Sequence, residues 1–305
     1  MSGEGTAVVP AVSVCVITYN QAPYIRQCLE SLVAQQVEGG LEVIVGDDCS
    51  TDGTREIVRE IAAAHPDVVR PILHETNIGA GVHNYLAVHA AARGRYVAHV
   101  DGDDYALPGK LARQQAFLDA HPEVTVVWHA MRVERADGGT LTTGDMQAAF
   151  PGGVVDLRRA LRAGEAGGLH SSMMYRRAVP VTAWPAFPVL DTFRVFELLA
   201  HGPGRALPEE LGAYRVHGQS LSQRGNARMK SLAADHAEHL LHRRPELRPD
   251  VFVYAVSNAA IDLLSRRSTL GRFLRLAWRT ACWVPPSIWL AQLRTLRAVQ
   301  FRDRA

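Results

Sequence analysis

The first 133 residues alternate short apolar runs with longer stretches in which apolar residues recur every three or four positions. A short run rich in β-branched residues predicts a strand buried on both faces, whereas the longer spacing predicts an amphipathic helix. Strands are predicted at 11–17, 41–46, 68–73, 95–100 and 124–133, and helices at 22–36, 52–65, 79–94 and 108–121. Repeated βαβ units favour an α/β fold with a mostly parallel sheet flanked by helices.

The pattern weakens in the middle of the chain and becomes helical towards its end. Residues 134–168 are rich in Gly, Ala and Asp, which predicts loops with one short helix at 155–163. Beyond them the spacing predicts a strand at 168–177, a helix at 191–202 and a strand at 209–217, and helical composition from 226 onward.

The whole-chain composition is that of a globular protein, with 47% hydrophobic and 21% charged residues. The net charge of +2 gives no reason to expect nucleic acid as a partner. Cys15, Cys28, Cys49 and Cys282 lack C-x-x-C spacing, which argues against a thiolate zinc site and fits a reducing, cytoplasmic compartment. The sequence shows neither a signal-peptide pattern nor the roughly 18 uninterrupted apolar residues of a spanning helix.

Residues 266–305 are strongly basic. They contain nine arginines and a single acid, Asp303, with tryptophans interleaved among the arginines. Pro285 and Pro286 predict a break between two helices. Basic helices with aromatic residues suit a membrane surface with anionic headgroups, and they equally suit a helical cap packed on the rest of the chain or a homodimer contact.

Polar residues follow three of the predicted strands at the point where each strand ends. Thr18, Tyr19 and Asn20 follow the first strand, the aspartates at 47 and 48 follow the second, and an Asp-Gly-Asp-Asp segment at 101–104 follows the fourth. Because the carboxyl ends of parallel strands meet at one edge of a sheet, these groups are expected to converge there, where such sheets bind ligands.

The acids at 101–104 need a counter-charge, since neighbouring carboxylates raise one another's pKa. A divalent cation such as Mg²⁺ or Mn²⁺ supplies it and keeps further positions for water and phosphate oxygens. A solvated acidic turn that caps a helix is the alternative. The other two clusters also have alternatives without a ligand. The alternative for Tyr19 is that it serves only to pack in the core, and the aspartates at 47 and 48 are also typical of the capped start of a helix.

Taken together, the segments "VSVCVITYNQAPYIRQCLESLVAQ", "LEVIVGDDCSTDGTREI", "NIGAGVHN" and "GRYVAHVDGDDYALPGKLARQ" resemble the family 2 glycosyltransferases, which have the GT-A fold. The resemblance covers roughly residues 11–220. It implies a glycosyltransferase domain at 1–225, with a nucleotide-binding part at about 11–133 and an acceptor part at about 134–225. Residues 226–305 are then a basic helical C-terminal extension.

The resemblance also implies which residues bind the donor. Those that match the family's nucleotide-binding positions are Thr18, Tyr19, Asn20, Asp47, Asp48, Asn77, Gly79 and Asp103. Those that match the metal site, for Mn²⁺ or Mg²⁺, are Asp103 and Asp104, with His217 completing the shell or contacting the diphosphate; a surface histidine is the alternative for His217. Asp101 is assigned either to the ligand or to bracing the loop.

Inverting transfer needs a carboxylate that deprotonates the acceptor hydroxyl. The family places it at the start of a helix, and here that position matches Asp191, although Leu190 replaces the acid that usually precedes it. Asp191 is also suited to cap the helix that begins at Thr192, and the two roles are compatible. His170 and Ser171 match the strand that leads to the acceptor, and the remaining histidines are interpreted as structural.

The resemblance therefore predicts an inverting, metal-dependent, hexosyltransferase-type enzyme. It is expected to move a sugar from a nucleotide diphosphate, most simply UDP, to a hydroxyl of a glycan, a lipid-linked molecule or a small molecule. A sugar nucleotidyltransferase would need a Gly-rich, basic phosphate loop after the first strand, where this chain has "TYNQAPY". A degenerate relative that binds nucleotide sugar as a scaffold subunit is the non-enzymatic alternative.

Overall fold

The computed structural model describes residues 9–78, 82–135, 137–143, 150–164, 168–181, 184, 192–217 and 227–300. The ten strands are β1 (Val12–Thr18), β2 (Leu41–Asp47), β3 (Val69–Leu73), β4 (Tyr96–Asp101), β5 (Tyr105–Ala106), β6 (Val126–Arg135), β7 (Thr140–Thr142), β8 (Val154–Val155), β9 (Met174–Arg176) and β10 (Gly204–Val216). The helices are α1 (Ala22–Val33), α2 (Thr54–Ala64), α3 (Val82–Ala91), α4 (Lys110–Ala120), α5 (Leu157–Ala163), α6 (Thr192–Leu199), α7 (Ala227–Arg243), α8 (Arg248–Leu264), α9 (Leu270–Thr280) and α10 (Pro286–Gln300).

One half of the sheet is parallel, in the order β3-β2-β1-β4. The apolar side chains of β1 and β2 are almost fully buried, which is why both strands read as continuous apolar runs. Pro71 lies in β3 at the edge of the sheet, where its missing N–H removes no bond to a further strand. The predicted order of strands and helices through α4 is confirmed, with shifts of a few residues at the ends.

The other half of the sheet is mixed. Strand β9 pairs antiparallel with both β4 and β6, while β10 runs parallel to β6 and antiparallel to β5 and β8. The prediction of one strand over 168–177 was wrong. A 3₁₀ turn occupies His170–Ser172 because the N–H groups of Ser172 and Met173 donate back to the carbonyls of Leu169 and His170, and the strand begins only at Met174.

The C-terminal helices pack on the sheet domain. Buried residues of α7, α8 and α9 belong to the same apolar cluster as Trp128 on β6, Leu161 on α5 and Leu198 on α6. A break between α9 and α10 at Pro285 and Pro286 is confirmed. The predicted boundary between 225 and 226 lies outside the described residues. Within the described part of the chain, no helix is long and apolar enough to cross a membrane.

Candidate active site

The loops that follow β1 and β2 are joined by hydrogen bonds. The backbone N–H of Asn20 donates to the Ser50 hydroxyl, and the Asn20 side-chain oxygen accepts from the N–H of Thr51, both at 2.9 Å. Asn20 has φ of 51°, a left-handed conformation that asparagine tolerates better than most residues. The arrangement leaves Tyr19 with 49% of its surface exposed, so the alternative that Tyr19 packs only in the core is wrong.

The aspartates at the end of β2 are buried and hold neighbouring loops. Asp47 accepts from the N–H of Ser50 at 3.1 Å and lies 3.4 Å from the Arg55 side chain. Asp48 accepts from the N–H of Ile78 at 2.7 Å, while Asn77 donates to the Asp48 carbonyl at 3.1 Å. The N–H of Asp48 in turn donates to the Thr18 carbonyl. The structure thus brings together the ends of β1 and β2, as predicted from the order of the strands, and adds the segment after β3 to them.

The Asp-Gly-Asp-Asp turn approaches the end of β1 so closely that its second residue has to be glycine. A Cβ atom on Gly102 would lie 2.5 Å from the Gln21 side-chain oxygen and 2.9 Å from the Thr18 side chain. The N–H of Gly102 donates to the carbonyl of Ile17 at 2.9 Å. The acids on either side of Gly102 are therefore fixed beside the Thr18 segment by backbone contacts.

Asp104 is a fully buried carboxylate. Its Oδ1 accepts from the backbone N–H of Arg215 at 3.0 Å, while its Oδ2 is buried without a hydrogen-bond partner in the described structure. Burial, and then the negative charges of Asp101 and Asp103, raise the pKa of Asp104 well above its usual range. A buried, half-satisfied carboxylate of this kind is costly unless a cation is bound beside it.

A buried cation of the protein lies nearby. The Lys110 ammonium donates to the Ser171 carbonyl at 2.6 Å, and burial lowers the pKa of Lys110 to about 8, against the attraction of Asp104. Lys110 therefore offsets only part of the negative charge that Asp101, Asp103 and Asp104 bring to the turn.

Asp103 is held by residues at the end of β10. Its Oδ2 lies 3.0 Å from Nε2 of His217, whose ring stacks on Tyr24 with the centroids 4.6 Å apart. The Asp103 carbonyl accepts from Arg215 at 2.8 Å. Burial, followed by the charge of Asp101, raises the pKa of Asp103. His217 is therefore part of the acidic turn's surroundings, and the alternative of a surface histidine is wrong.

A buried row of hydrogen-bonded rings leads from the interior to Asp101, and the sequence interpretation missed it. The Tyr175 hydroxyl lies 2.8 Å from His89 Nδ1, His89 Nε2 lies 3.1 Å from His99 Nδ1, and His99 Nε2 lies 3.1 Å from Asp101 Oδ1. The sequence analysis interpreted the remaining histidines as structural, and it did not predict that His89 and His99 bond to each other and to Asp101. No local sequence pattern predicts that His89 and His99 are neighbours, because they are ten residues apart on α3 and β4 and meet only when the helix packs on the sheet.

The direction of these hydrogen bonds follows from the carboxylate at one end. An ionised Asp101 accepts only, so His99 Nε2 carries the hydrogen and His99 Nδ1 accepts from His89 Nε2–H. His89 Nδ1 then accepts from the Tyr175 hydroxyl. Burial lowers the pKa of His89 well below its ordinary value, which agrees with a neutral ring. Every nitrogen of the two rings thus has a partner while both rings stay uncharged.

This row of rings predicts the effect of removing His99. In His99→Phe the buried Nε2–H of His89 loses its acceptor, which we expect to lower the free energy of unfolding by about 1–3 kcal/mol. Denaturant unfolding measures the change. The matched control is His201→Phe, since His201 is exposed and its substitution should change stability by less than about 0.5 kcal/mol. Equal stabilities of the two variants would contradict the assigned hydrogen bonds.

The predicted acceptor-side residues lie against the same rings. Ser171 donates its hydroxyl towards Asp101 Oδ2 and accepts from the Asp101 N–H at 3.0 Å. His170 lies over His99 and near Tyr85, with centroid separations of 4.2 and 5.3 Å. The structure therefore places Ser171 beside the acidic turn and His170 beside the rings that lead to it.

Helix α6 reaches this ring cluster through Arg194. Its Nε donates to the Tyr85 hydroxyl at 2.9 Å, and its guanidinium carbon lies 5.3–5.4 Å from the ring centres of Tyr85, Tyr175 and Trp184. Arg194 stands three positions after Asp191 in the sequence. Asp191 itself, the preceding Leu190 and Gly79 lie outside the described residues, so their predicted roles stay predictions.

The comparison with known families decides the affiliation. Residues 13–179, more than half of the chain, match the sequence model described as glycosyl transferase family 2. The chain belongs to glycosyl transferase family 2. The uncharacterized protein Rv1520 of Mycobacterium tuberculosis is 38% identical over 221 residues, which are 69% of this chain. The uncharacterized glycosyltransferase alr2836 of Nostoc sp. is 30% identical over 215 residues, 68% of this chain. The matched part spans 60% and 65% of these two relatives' own lengths.

Two solved structures share the fold. S. aureus TarS 1-349 in complex with UDP-GlcNAc superposes with a TM-score of 0.67 and 21% identity, covering 96% of this chain and 90% of that one. The mannosyltransferase PcManGT from Pyrobaculum calidifontis in complex with GDP-Man and Mn²⁺ gives a TM-score of 0.54 and 21% identity, over 96% and 87%. The family 2 chain described here therefore has the predicted GT-A fold, a large mixed sheet flanked by helices.

The acidic turn supplies only part of the ligands of a divalent cation, and the phosphates of a bound substrate would have to supply others. Among the described residues, no three His, Cys, Asp or Glu side chains form a ready-made cage. Asp103 and Asp104 nevertheless present hard oxygen ligands, and one oxygen of Asp104 is buried with no hydrogen-bond partner among the described groups. Mg²⁺ is commonly held by one or two carboxylates together with substrate phosphates, so two acids that do not form a complete cage suit that chemistry.

Proposed function

We propose that this protein transfers a hexose from a UDP-sugar to a hydroxyl group, with inversion at the anomeric carbon and with Mn²⁺ or Mg²⁺ as cofactor. The observation on which the proposal depends is the buried carboxylate of Asp104, which lies beside Asp103 at the strand ends where a GT-A fold receives its donor. Without a bound cation, this concentration of negative charge destabilises the protein.

The donor side of the proposal rests on the joined loops after β1, β2 and β3. Half-exposed Tyr19 offers a ring on which a base or ribose can pack. Asp47 retains one carboxylate oxygen without a hydrogen-bond partner in the described structure, and a uracil imide N–H is a suitable donor to it. We extend the assignment to the neighbouring positions Thr18, Asn20, Asp48, Asn77, Gly79 and Asp103. TarS and PcManGT, whose folds are similar, were solved with UDP-GlcNAc and GDP-Man.

Asp103 and Asp104 would hold the metal, and His217, which lies against Asp103, would complete the surroundings of the metal and diphosphate. A bound divalent cation acts as a Lewis acid that stabilises the charge of the departing diphosphate. Arg215 stabilises this arrangement, because its backbone N–H donates to the Asp104 carboxylate and its guanidinium donates to the Asp103 carbonyl.

Asp191 is the proposed base. The acceptor oxygen forms a bond to the anomeric carbon as the bond from that carbon to the diphosphate oxygen breaks, and the hydroxyl proton moves to the Asp191 carboxylate. Arg194 supports this role, since it ties the first turns of α6 to the Tyr85 ring, which lies close to His170 on the acceptor side. His170 and Ser171 would then orient the acceptor hydroxyl.

The test begins with the donor, because the nucleotide can be identified before any acceptor is known. Thermal unfolding of the full chain is followed with UDP and GDP and their sugars, each with and without Mn²⁺. We expect UDP and its sugars to raise the melting temperature only when Mn²⁺ is present. UDP release from the matching sugar in the presence of hydroxyl acceptors then tests turnover. Binding without turnover on any acceptor would favour the scaffold alternative.

A further inference from the structure

Helix α9 presents apolar side chains to solvent as well as to the core. Phe273, Leu276 and Thr280 are buried against the neighbouring helices. On the opposite side Leu274 and Trp278, four residues apart and therefore on one face of the helix, are 54% and 84% exposed. Trp283, shortly after the helix, is 79% exposed. Two tryptophans this exposed within six consecutive residues indicate a contact site rather than ordinary surface variation.

This surface is also basic. Residues 266–300 contain seven arginines and no acid. Arg272 and Arg279 on α9 pair with acids of α7, namely Asp235 and Glu238. Arg275, which is exposed beside Trp278, forms no ion pair with any residue in the described ranges.

The turn that leads into α9 also exposes apolar and basic side chains. Leu263 and Leu264 are 63% and 85% exposed, and Arg266 and Arg267 follow them, also exposed. Neither arginine has an ion-pair partner within the part of the chain that the structure describes. Exposed apolar and basic side chains are thus mixed along residues 263–283, and Arg266, Arg267 and Arg275 have no ion-pair partner among the described residues.

The positive charge of this surface favours one kind of partner for the exposed tryptophans over another. A second copy of this chain packed face to face would bring the same unpaired arginines together, and like charges across an interface oppose association. An anionic bilayer has the complementary charge. Its headgroup phosphates accept from guanidinium groups, while tryptophan and leucine enter the boundary between headgroups and acyl chains.

We propose that the outward face of α9, together with Trp283, docks on the surface of an anionic lipid bilayer. Leu274, Trp278 and Trp283 enter the interface, and Arg275 contacts lipid phosphates, with Arg266 and Arg267 adding attraction from the preceding turn. The eleven-residue helix lies along the surface and does not cross the bilayer. This proposal does not depend on the proposed transfer reaction, because it concerns a different surface of the molecule.

Vesicle flotation of the full chain tests the proposal without nucleotide. We expect the protein to float with vesicles of phosphatidylcholine mixed with phosphatidylglycerol, and to stay largely unbound with phosphatidylcholine alone or at high salt. The double variant Trp278→Ser, Trp283→Ser should lose at least about tenfold in partition, and Arg275→Glu about tenfold. Leu141→Ser, a partly exposed apolar residue on β7, is the matched control and should bind like the wild type.

Three results would overturn the proposal. The first is equal flotation of the wild type and the double variant, and the second is no flotation with anionic vesicles. The third is a homodimer in lipid-free solution, measured by light scattering, that dissociates in the double variant, which would assign the face to contact between copies. UDP binding measured by thermal unfolding should be unchanged in the double variant, which separates this outcome from any failure of the donor site.

Discussion

Replacing Asp104 with asparagine is expected to reduce sugar transfer about a thousandfold or more while the protein stays folded. The charge stabilisation that a bound metal supplies amounts to several kcal/mol, and each 1.36 kcal/mol is a factor of ten in rate. Asparagine keeps an oxygen to accept from the Arg215 N–H but removes the negative charge on which the cation depends. The measurement is UDP release at saturating donor with Mn²⁺, compared with the wild type.

Stability without metal separates this effect from simple loss of the fold. Burial raises the pKa of Asp104 above its ordinary value of 3.8, so the contribution of the Asp104 carboxyl to the stability of the apo protein is fully present below that pH and falls as pH rises through the shifted pKa. Asp104→Asn should lack this fall and be at least as stable as the wild type near neutral pH. Asp137→Asn, an exposed acid between β6 and β7, is the control and should retain activity. An inactive Asp104→Asn that is also unfolded would leave Asp104 with a structural role only.

Replacing Asp191 with asparagine is expected to lower the transfer rate by about 10²–10⁴-fold with little change in nucleotide binding, which is the usual contribution of a general base. Asparagine is as good a helix N-cap as aspartate, so the variant keeps any capping contribution to α6 and removes only the basic carboxylate. Rates of transfer and the Mn²⁺-dependent affinity for UDP are measured on the same samples.

A third substitution distinguishes the two roles of Asp191. Asp191→Ala removes the carboxylate and the cap together, and loss of an N-cap costs about 1 kcal/mol of stability. We therefore expect Asp191→Ala to be as inactive as Asp191→Asn but less stable. If Asp191→Asn retains full activity, Asp191 is not the base, whatever the stability of the alanine variant.

The parallel half of the sheet was predictable because buried parallel strands require unbroken apolar sequence. Strands β1, β2 and β4 have such apolar sequences, and the polar residues after them lie at the same edge of the sheet. Strands β5, β7 and β8 were not predicted, since two or three residues are too few to show an alternation. Strand β10 begins at Gly204 rather than 209, because its pairing with β6 continues across bulges that break the expected period.

The sequence predicted which residues the candidate site contains but not the contacts that hold them. That Asp48 holds the loop at Ile78, or that Gly102 is required by the approach of Gln21, depends on distances between segments far apart in sequence. The same holds for the row from Tyr175 to Asp101. Histidines on a helix and a strand give no periodic signal, and only the packing of α3 against β4 brings their nitrogens within hydrogen-bonding distance.

The central claim is that the acidic turn after β4 holds a divalent cation together with the diphosphate of a nucleotide. Diffraction from crystals grown with Mn²⁺ and UDP tests it most directly, because manganese is located by its anomalous signal. The account predicts a manganese peak in contact with a carboxylate oxygen of Asp104 or Asp103 and with the diphosphate of UDP. Density for UDP elsewhere, or no manganese at these two aspartates, would contradict it.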